Sequence, residues 1–366
     1  MARIVYFSRD FTSHDWRFLD VLANSGHQVY YLRLERGEQI YEDRALPLGV
    51  EAISWKGGQK PVGQSELLEL RDDLNRMIAS IKPDLIHAGP IQSAALLVAL
   101  NGFHPLVTMS WGYDLLLDAE RNPFSKWATR YTLRRSDLVI GDCETVRLKV
   151  RSFGIPDRRI VTFPWGVDLQ YFTPEEQSKA EGRFTYLSTR SWEPIYGVDV
   201  IANAFVKVVR EKPDLHLVIL GAGSMKENLH QILSGSDVKE RVDFPGQISY
   251  SQLPDFYRRA DIYLSASHSD GSSISLLEAM ACGCPVLVSD IPGNREWVHP
   301  AENGWLFPDG DVDAMAEFML RAENTRHQLK DMGRNARKLA EKRADWKVNS
   351  QVLLSAYQSV LTEMKN

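Results

Sequence analysis

Short runs of β-branched and aliphatic residues alternate, along the whole chain, with stretches whose apolar positions recur every three to four residues. Ile4–Phe7 is the first such run and predicts a strand. Trp16, Leu19, Leu22 and Ala23 follow at helical spacing, with Gly26 where a helix is expected to stop. Val29–Leu34 predicts the next strand. After an irregular segment the pattern gives helix over Leu67–Ile81, strand over Asp84–Ala88, helix over Ile91–Leu100 and strand over Leu106–Ser110. Asn122–Arg135 (helix), Asp137–Gly141 (strand), Thr145–Phe153 (helix) and Arg159–Phe163 (strand) continue the series. Regular alternation of this kind implies a parallel sheet covered by helices on both faces.

The polar run Thr173-Pro174-Glu175-Glu176-Gln177-Ser178-Lys179-Ala180-Glu181-Gly182 predicts a linker, after which the alternation restarts. Phe184–Leu187, Leu215–Leu220, Val242–Phe244, Ile262–Leu264 and Val286–Ser289 predict strands. Val198–Val208, Leu253–Arg259 and Ile274–Cys282 predict helices, and the tail from Asn335 to Met364 is helical in composition. The expected organisation is a first domain over residues 1–170, a linker over 171–182, a second domain over 183–345, and a C-terminal helix over 346–366 that packs back on the first domain. The expected fold class is α/β, with two doubly wound domains facing across a cleft that is the default site.

Composition narrows the field. The chain has 366 residues, 44% hydrophobic and 25% charged, which fits two globular domains and excludes a disordered scaffold, a collagen-like rod or a disulfide-stapled mini-protein. The net charge of −5 falls on the part after Gln170, and the part before it is balanced. With no basic module, a nucleic-acid partner is not expected. The 3 cysteines, Cys143, Cys282 and Cys284, have no spacing that suggests a disulfide framework or a zinc site, which fits a reducing compartment. No signal-peptide apolar region follows Met1-Ala2-Arg3. Leu85 to Tyr113 lacks Asp, Glu, Lys and Arg and is long enough to cross a bilayer, but Gly89-Pro90, Asn101-Gly102 and His104-Pro105 divide it. A buried strand–helix–strand and a cytoplasmic location are expected.

The segment from Ser267 to Pro285 is the most informative. It leaves the end of a predicted parallel strand and enters a helix near Ser273 through Asp270-Gly271-Ser272. Free N–H groups and the positive dipole end at a helix start attract phosphate, and small side chains let a ligand approach. Glu278, about one turn into the helix, suits ribose hydroxyls. Asp270, earlier in the loop, suits hydroxyls further along the ligand.

Asp270 and Glu278, followed by Ala-Met-Ala-Cys-Gly-Cys-Pro-Val, resemble the E-x7-E signature of the retaining glycosyltransferases of family 4 ("glycosyl transferase group 1"), which have the GT-B fold of two Rossmann-like domains. The resemblance implies that Asp270, here in place of Glu, contacts the donor sugar and that Glu278 contacts the ribose. Gly166-Val167-Asp168 is similar to the family's interdomain Asn-Gly-Val-Asp, with Trp165 where Asn is usual. Arg190 lies where the family has an Arg that clamps the donor diphosphate. The companion Lys is missing, because Tyr196 precedes Gly197. Gly221-Ala222-Gly223 resembles the family's Gly-x-Gly turn, and Gly246-Gln247-Ile248 the loop whose backbone meets the nucleobase. The donor set implied is Arg190, Gly221, Gly223, Gln247, Ile248, Asp270, Gly271, Ser272, Ser273, Ile274 and Glu278, with Arg190, Asp270 and Glu278 as its catalytic members.

The acceptor half matches less closely. The family's Gly-rich loop after the first strand is replaced by Ser8-Arg9-Asp10-Phe11-Thr12-Ser13-His14, and its His-Ala-His by His87-Ala88-Gly89-Pro90. Ser110-Trp111-Gly112-Tyr113-Asp114 resembles a Trp-Gly-x-Asp turn. The acceptor-binding candidates are therefore Asp114, Trp111 and His87, with a helix cap the competing reading for Asp114 and a buried structural histidine for His87. Arg121–Arg135 carries Phe124, Trp127 and Tyr131 on one stripe among basic residues, which suits an anionic membrane face if the acceptor is lipid-linked. A core-facing stripe is the competing reading.

The activity implied is retaining transfer of a sugar from a nucleoside-diphosphate donor, uridine favoured over guanosine, to a hydroxyl of a sugar, glycolipid or other acceptor, in polysaccharide or glycolipid synthesis. The alternatives are a sugar-nucleotide epimerase of the same fold and a silent nucleotide-sugar-binding protein. No cofactor and no metal are expected: Asp309-Gly310-Asp311 and Asp311-Val312-Asp313 look like metal motifs but suit a helix start. The pattern is silent on oligomeric state.

Overall fold

The computed structural model describes residues 1–37, 42–175, 183–212 and 214–363. They form two compact units, one of Met1–Phe163 with the C-terminal stretch from Val348, the other of Pro164–Lys347. Most of the expected linker, residues 176–182, lies outside the described residues.

In the first unit, β1 (Arg3–Ser8), β2 (Gln28–Arg33), β3 (Val50–Ala52), β4 (Leu85–Gly89), β5 (Leu106–Met109), β6 (Leu138–Gly141) and β7 (Ile160–Thr162) form a sheet of order β3-β2-β1-β4-β5-β6-β7. All its pairs are parallel, with Tyr6 of β1 opposite Tyr31 on one side and His87 on the other. The central strands are buried on both faces, so their sequences read as continuous apolar runs. The sequence pattern misses only β3: its Glu51 and Ala52 are exposed at the sheet edge, and three residues are too few to show a period. The uncharged stretch from Leu85 resolves into β4, the helix Ala94–Asn101 and β5. Ala94 to Ala99 are buried, which is why no polar face interrupts them. No helix among the described residues is long and apolar enough to cross a membrane.

In the second unit, β8 (Phe184–Ser188), β9 (Leu215–Leu220), β10 (Val242–Gly246), β11 (Ile262–Ser265), β12 (Val286–Ser289) and β13 (Gly304–Phe307) form a parallel sheet of order β10-β9-β8-β11-β12-β13. The pattern misses β13, whose Gly304 lets its backbone close on β12: a Cβ there would lie 2.3 Å from the Val286 carbonyl oxygen. The tail forms two helices, Arg326–Arg343 and Trp346–Glu363, the second starting at the residue where the C-terminal helix is expected. The break at Ala344-Asp345 has a physical cause. The Val167 N–H donates to the Ala344 carbonyl at 2.8 Å, and the Trp346 N–H to the Val167 carbonyl at 3.1 Å. Gly166, at φ +65°, allows this approach, since a Cβ would sit 2.4 Å from the Ala344 oxygen.

Each sheet reverses strand order once, between β1 and β4 and between β8 and β11. Loops leaving the carboxyl ends of such a pair diverge to opposite faces and open a crevice. In the second unit Gly197 holds the two loops in register, with φ +57° and a would-be Cβ only 2.2 Å from the Ala266 carbonyl oxygen. Gly197→Ala should therefore destabilise this unit by about 3 kcal/mol, combining left-handed strain with a backbone clash. Urea unfolding checks this, and a loss below about 1 kcal/mol would contradict the packing described.

Candidate active site

Arg190 stands two residues beyond the end of β8, facing the loop that follows β11. Its Nη2 donates to Asp270 Oδ2 at 2.7 Å, and its Nη1 to Ser273 Oγ at 2.8 Å and Ser275 Oγ at 3.0 Å. The guanidinium lies 4.0 Å over the Tyr196 ring. The two ion-paired side chains are 11% and 19% exposed, so the attraction acts in a poorly solvated setting. Burial opposes the charge on Arg190, but Asp270 and the surrounding tyrosines more than reverse this, raising its pKa. Burial pushes the Asp270 carboxyl up, and Arg190 and the Gly271 N–H pull against that. The Arg190 Nε is buried without a hydrogen-bond partner.

The same residues shape the start of the helix Ile274–Ala281. Ser273 occupies the N-cap position, but its side chain makes no cap hydrogen bond, and its hydroxyl accepts from Arg190. The first-turn N–H groups are thus left without the Ser273 cap, at the positive end of the helix. Ser272 Oγ accepts from the Trp297 indole at 3.1 Å, and Tyr263 donates to Ser275 Oγ at 2.8 Å. Behind the loop, Gly293 lets a neighbouring helix press in: a Cβ would meet the carbonyl oxygens of Asp270 and Gly271 at 2.4 Å each. Glu278 lies one turn into the helix, 7% exposed, and accepts from Tyr257 at 2.8 Å. The Tyr257 oxygen is in turn 2.9 Å from Thr189 Oγ1, beside Arg190 in the chain.

The structure thus brings Arg190, Asp270, Ser272, Ser273, Ile274 and Glu278 together around one helix start. The other donor candidates sit differently. Gly221 and Gly223 follow β9, and would-be Cβ atoms there meet the carbonyl oxygens of Arg190 at 3.0 Å and Trp192 at 2.5 Å. Close packing of this turn against the Arg190 loop is sufficient reason for both glycines. Gln247 is exposed after β10, and Ile248 packs half-buried against the core. Asp311 caps the helix Val312–Asn324, its Oδ1 accepting from Asp313 and Ala314 N–H at 3.0 and 2.9 Å. Asp309 pairs instead with His268 at 2.7 Å.

In the first unit the acceptor candidates are more enclosed than the sequence suggests. Asp114 is 1% exposed. Its Oδ1 accepts from Ser110 Oγ, Trp111 N–H and Leu115 N–H, and its Oδ2 from Ile91 N–H at 3.0 Å. It ties the loop after β5 to the loop after β4, and the helix cap position itself belongs to Gly112. Burial raises its pKa to about 6 against the pull of these donors. His87 is fully buried in β4 between Tyr6, Phe18 and Tyr357, and its Nδ1 pairs with the Tyr357 hydroxyl. Trp111 is half-buried with its edge against His14, ring centres 5.6 Å apart. The loop after β1 needs no glycine, because Thr12 and Asp15 form a capping box that starts the helix Ser13–Ala23 directly. The aromatic stripe of the helix Pro123–Arg135 divides: Phe124 and Tyr131 pack against the core, whereas Trp127 stacks on Tyr131, lies tilted against Phe124 and is 47% exposed.

Residues 171–339 match the family Glycosyl transferases group 1, and residues 3–143 match Glycosyl transferase 4-like. A GDP-mannose-dependent monoacylated α-(1-6)-phosphatidylinositol monomannoside mannosyltransferase of Corynebacterium glutamicum is 26% identical over 81% of this chain and 79% of its own length. Among solved structures, sucrose-phosphate synthase from Thermosynechococcus elongatus superimposes with a TM-score of 0.82 at 17% identity, covering 99% of this chain and 100% of that one. Anabaena HepE in complex with UDP does so with a TM-score of 0.77 at 18% identity, covering 98% and 100%. The chain is a GT-B glycosyltransferase.

Several supports of this glycosyltransferase's site carry no sequence signal. Tyr257 is one apolar position in an amphipathic helix, and Tyr196 reads as the residue standing where the diphosphate-clamping Lys is absent. Trp297 and Tyr263 likewise read as core. What assigns them is a third-dimensional neighbour, Glu278, Arg190, Ser272 or Ser275. A signal was present only for Ser275, two residues into a helix whose first turn was already singled out.

The transferase's His87 generates a pH prediction. Burial lowers its pKa to about 3, against 6.5 ordinarily, so the unfolded chain binds a proton that the folded chain refuses. Its contribution to stability is therefore complete above pH 6.5 and is lost as pH falls towards 3, with a slope approaching about 1.4 kcal/mol per pH unit. Comparing wild type with His87→Gln removes the opposing effect of Asp114. The difference in unfolding free energy should rise with pH over this window, and a flat difference would contradict a neutral buried His87.

Proposed function

We propose that this glycosyltransferase retains configuration at the transferred sugar and moves it from a nucleoside-diphosphate donor to a hydroxyl acceptor. The observation that carries the reading is the Arg190–Asp270 pair held by Ser273 and Ser275 at an uncapped helix start. As the donor's diphosphate leaves, negative charge builds on its oxygens. A fixed guanidinium and helix N–H groups stabilise that charge without reorganising. Asp270, released from Arg190, accepts from sugar hydroxyls, and Glu278, oriented by Tyr257, accepts from the ribose. The sugar centre becomes oxocarbenium-like. With no carboxylate assigned as covalent nucleophile, transfer on one face is the reading adopted, the leaving oxygen taking the acceptor proton. Positioning and charge stabilisation then supply the rate enhancement, and no step in this reading calls for a metal.

The base adopted is uridine, recognised by the backbone around Gly246-Gln247-Ile248. A guanosine donor is the second reading, favoured by the relative named GDP-mannose-dependent. The acceptor is a sugar or glycolipid hydroxyl, as in polysaccharide or glycolipid synthesis, recognised by the first unit.

Radiolabelled UDP- and GDP-sugars, assayed for acceptor-dependent release of the diphosphate, test the reading. Arg190→Ala should lower kcat on the order of 100- to 1000-fold, as when a preorganised donor is removed from a developing anion. Turnover within a few-fold of wild type would contradict the role. Glu278→Gln should raise the donor KM about tenfold with kcat little changed, since ribose binding is common to ground and transition states. An unchanged KM would remove Glu278 from the donor site.

A further inference from the structure

A pocket of about 310 Å³ lies at the amino ends of the first sheet's strands, the opposite end from the Asp114 loop, lined by residues just before β5, β6 and β7. Its frame is fixed by side chains already engaged. Asp137 Oδ2 accepts from the Leu106 N–H at 2.7 Å and pairs with His104 Nδ1 at 2.8 Å. Arg159 donates to the carbonyls of Leu133 at 3.1 Å and Arg134 at 3.2 Å and to that of Ser136, closing the carboxyl end of the helix Pro123–Arg135. That cap covers the negative pole of the helix, which would otherwise repel an anion from this place.

What remains is a surplus of positive charge. Arg134, Arg135 and Arg158 line the same pocket and are exposed, and none has an acidic partner within ion-pair distance among the described residues. Arg135 leans on the Tyr131 ring, 5.2 Å away, which leaves its outer edge available. Against these three, among the described residues lining the pocket, stands one carboxylate not engaged in the frame, Glu363, on the rim from the C-terminal helix. Three guanidinium groups in one concavity repel one another unless an anion neutralises them, and their planar forks match the paired oxygens of a phosphate.

We propose that this pocket is a second anion site, distinct from the donor site, that takes a phosphate or pyrophosphate group through Arg134, Arg135 and Arg158. The group belongs either to a phospholipid headgroup or to a soluble phosphate compound. Both present the same oxyanion chemistry, and the test separates them.

The probe is inorganic pyrophosphate titrated calorimetrically into the full chain as wild type, as R134Q/R135Q/R158Q and as R190Q. The last variant silences the donor site, so that failure of either assignment shows independently. R190Q should retain one pyrophosphate equivalent, and the triple variant should lose that equivalent or bind it at least about tenfold more weakly. R158Q alone should give a smaller loss, which keeps the test valid should the triple variant melt early. Pyrophosphate binding absent from R190Q, or identical in wild type and the triple variant, would overturn the proposal. Sedimentation with phosphatidylglycerol vesicles that the triple variant loses, and phosphatidylcholine vesicles never support, assigns the lipid source. Pyrophosphate binding without such sedimentation assigns the soluble one.

Discussion

The ion pair between Arg190 and Asp270 organises the second unit. It joins the loop after β8 to the loop after β11, at the place where the order of the sheet reverses. Neither side chain is well solvated, so each requires the other: removing one member of such a buried pair typically costs about 3–5 kcal/mol. Arg190 also donates to the hydroxyl of Ser273, the N-cap residue, whose side chain makes no cap hydrogen bond to the first-turn N–H groups. Structure and reactivity share one constraint. The contact that joins the two loops also sets the guanidinium at the start of the helix Ile274–Ala281.

The surrounding side chains make sense on that basis. Tyr196, near the position of the missing companion Lys, offers Arg190 a ring face, which keeps the guanidinium in place without adding repulsion. Ser275, also bonded by Tyr263, gives it a further acceptor. Tyr257 and Thr189 link Glu278 to the same loop. Glycines at 197, 221, 223 and 293 remove side-chain bulk where backbone meets backbone, so that the loops converge. The site is preorganised by packing rather than by flexible lining.

Much of this was legible in the chain. Alternating apolar runs and amphipathic stretches gave the two parallel sheets, because strands buried on both faces cannot hide their composition. Asp270, Ser273 and Glu278 were legible because their spacing spans a loop and one helical turn. Two of the four edge strands were not: Val50–Ala52 is short and largely exposed, and Gly304–Phe307 depends on a glycine whose reason is the carbonyl of Val286. The start of the C-terminal helix was legible, but not the bonds to Val167, far away in sequence, that break the chain before it. In the first unit, residue type left two readings open for both His87 and Asp114, an acceptor group or a structural one. β4 buries the first, and four internal donors occupy the second. A sequence shows which groups are present and does not show how many of their hydrogen bonds are already made.

The most direct measurement is a crystal structure of the protein with a nucleoside diphosphate bound. The account predicts the distal phosphate at the amino end of the helix Ile274–Ala281, within hydrogen-bond distance of the Arg190 guanidinium, with Asp270 displaced from its present 2.7 Å pairing. A diphosphate bound elsewhere, with the Arg190–Asp270 pair and the Ser273 contact intact, would contradict it.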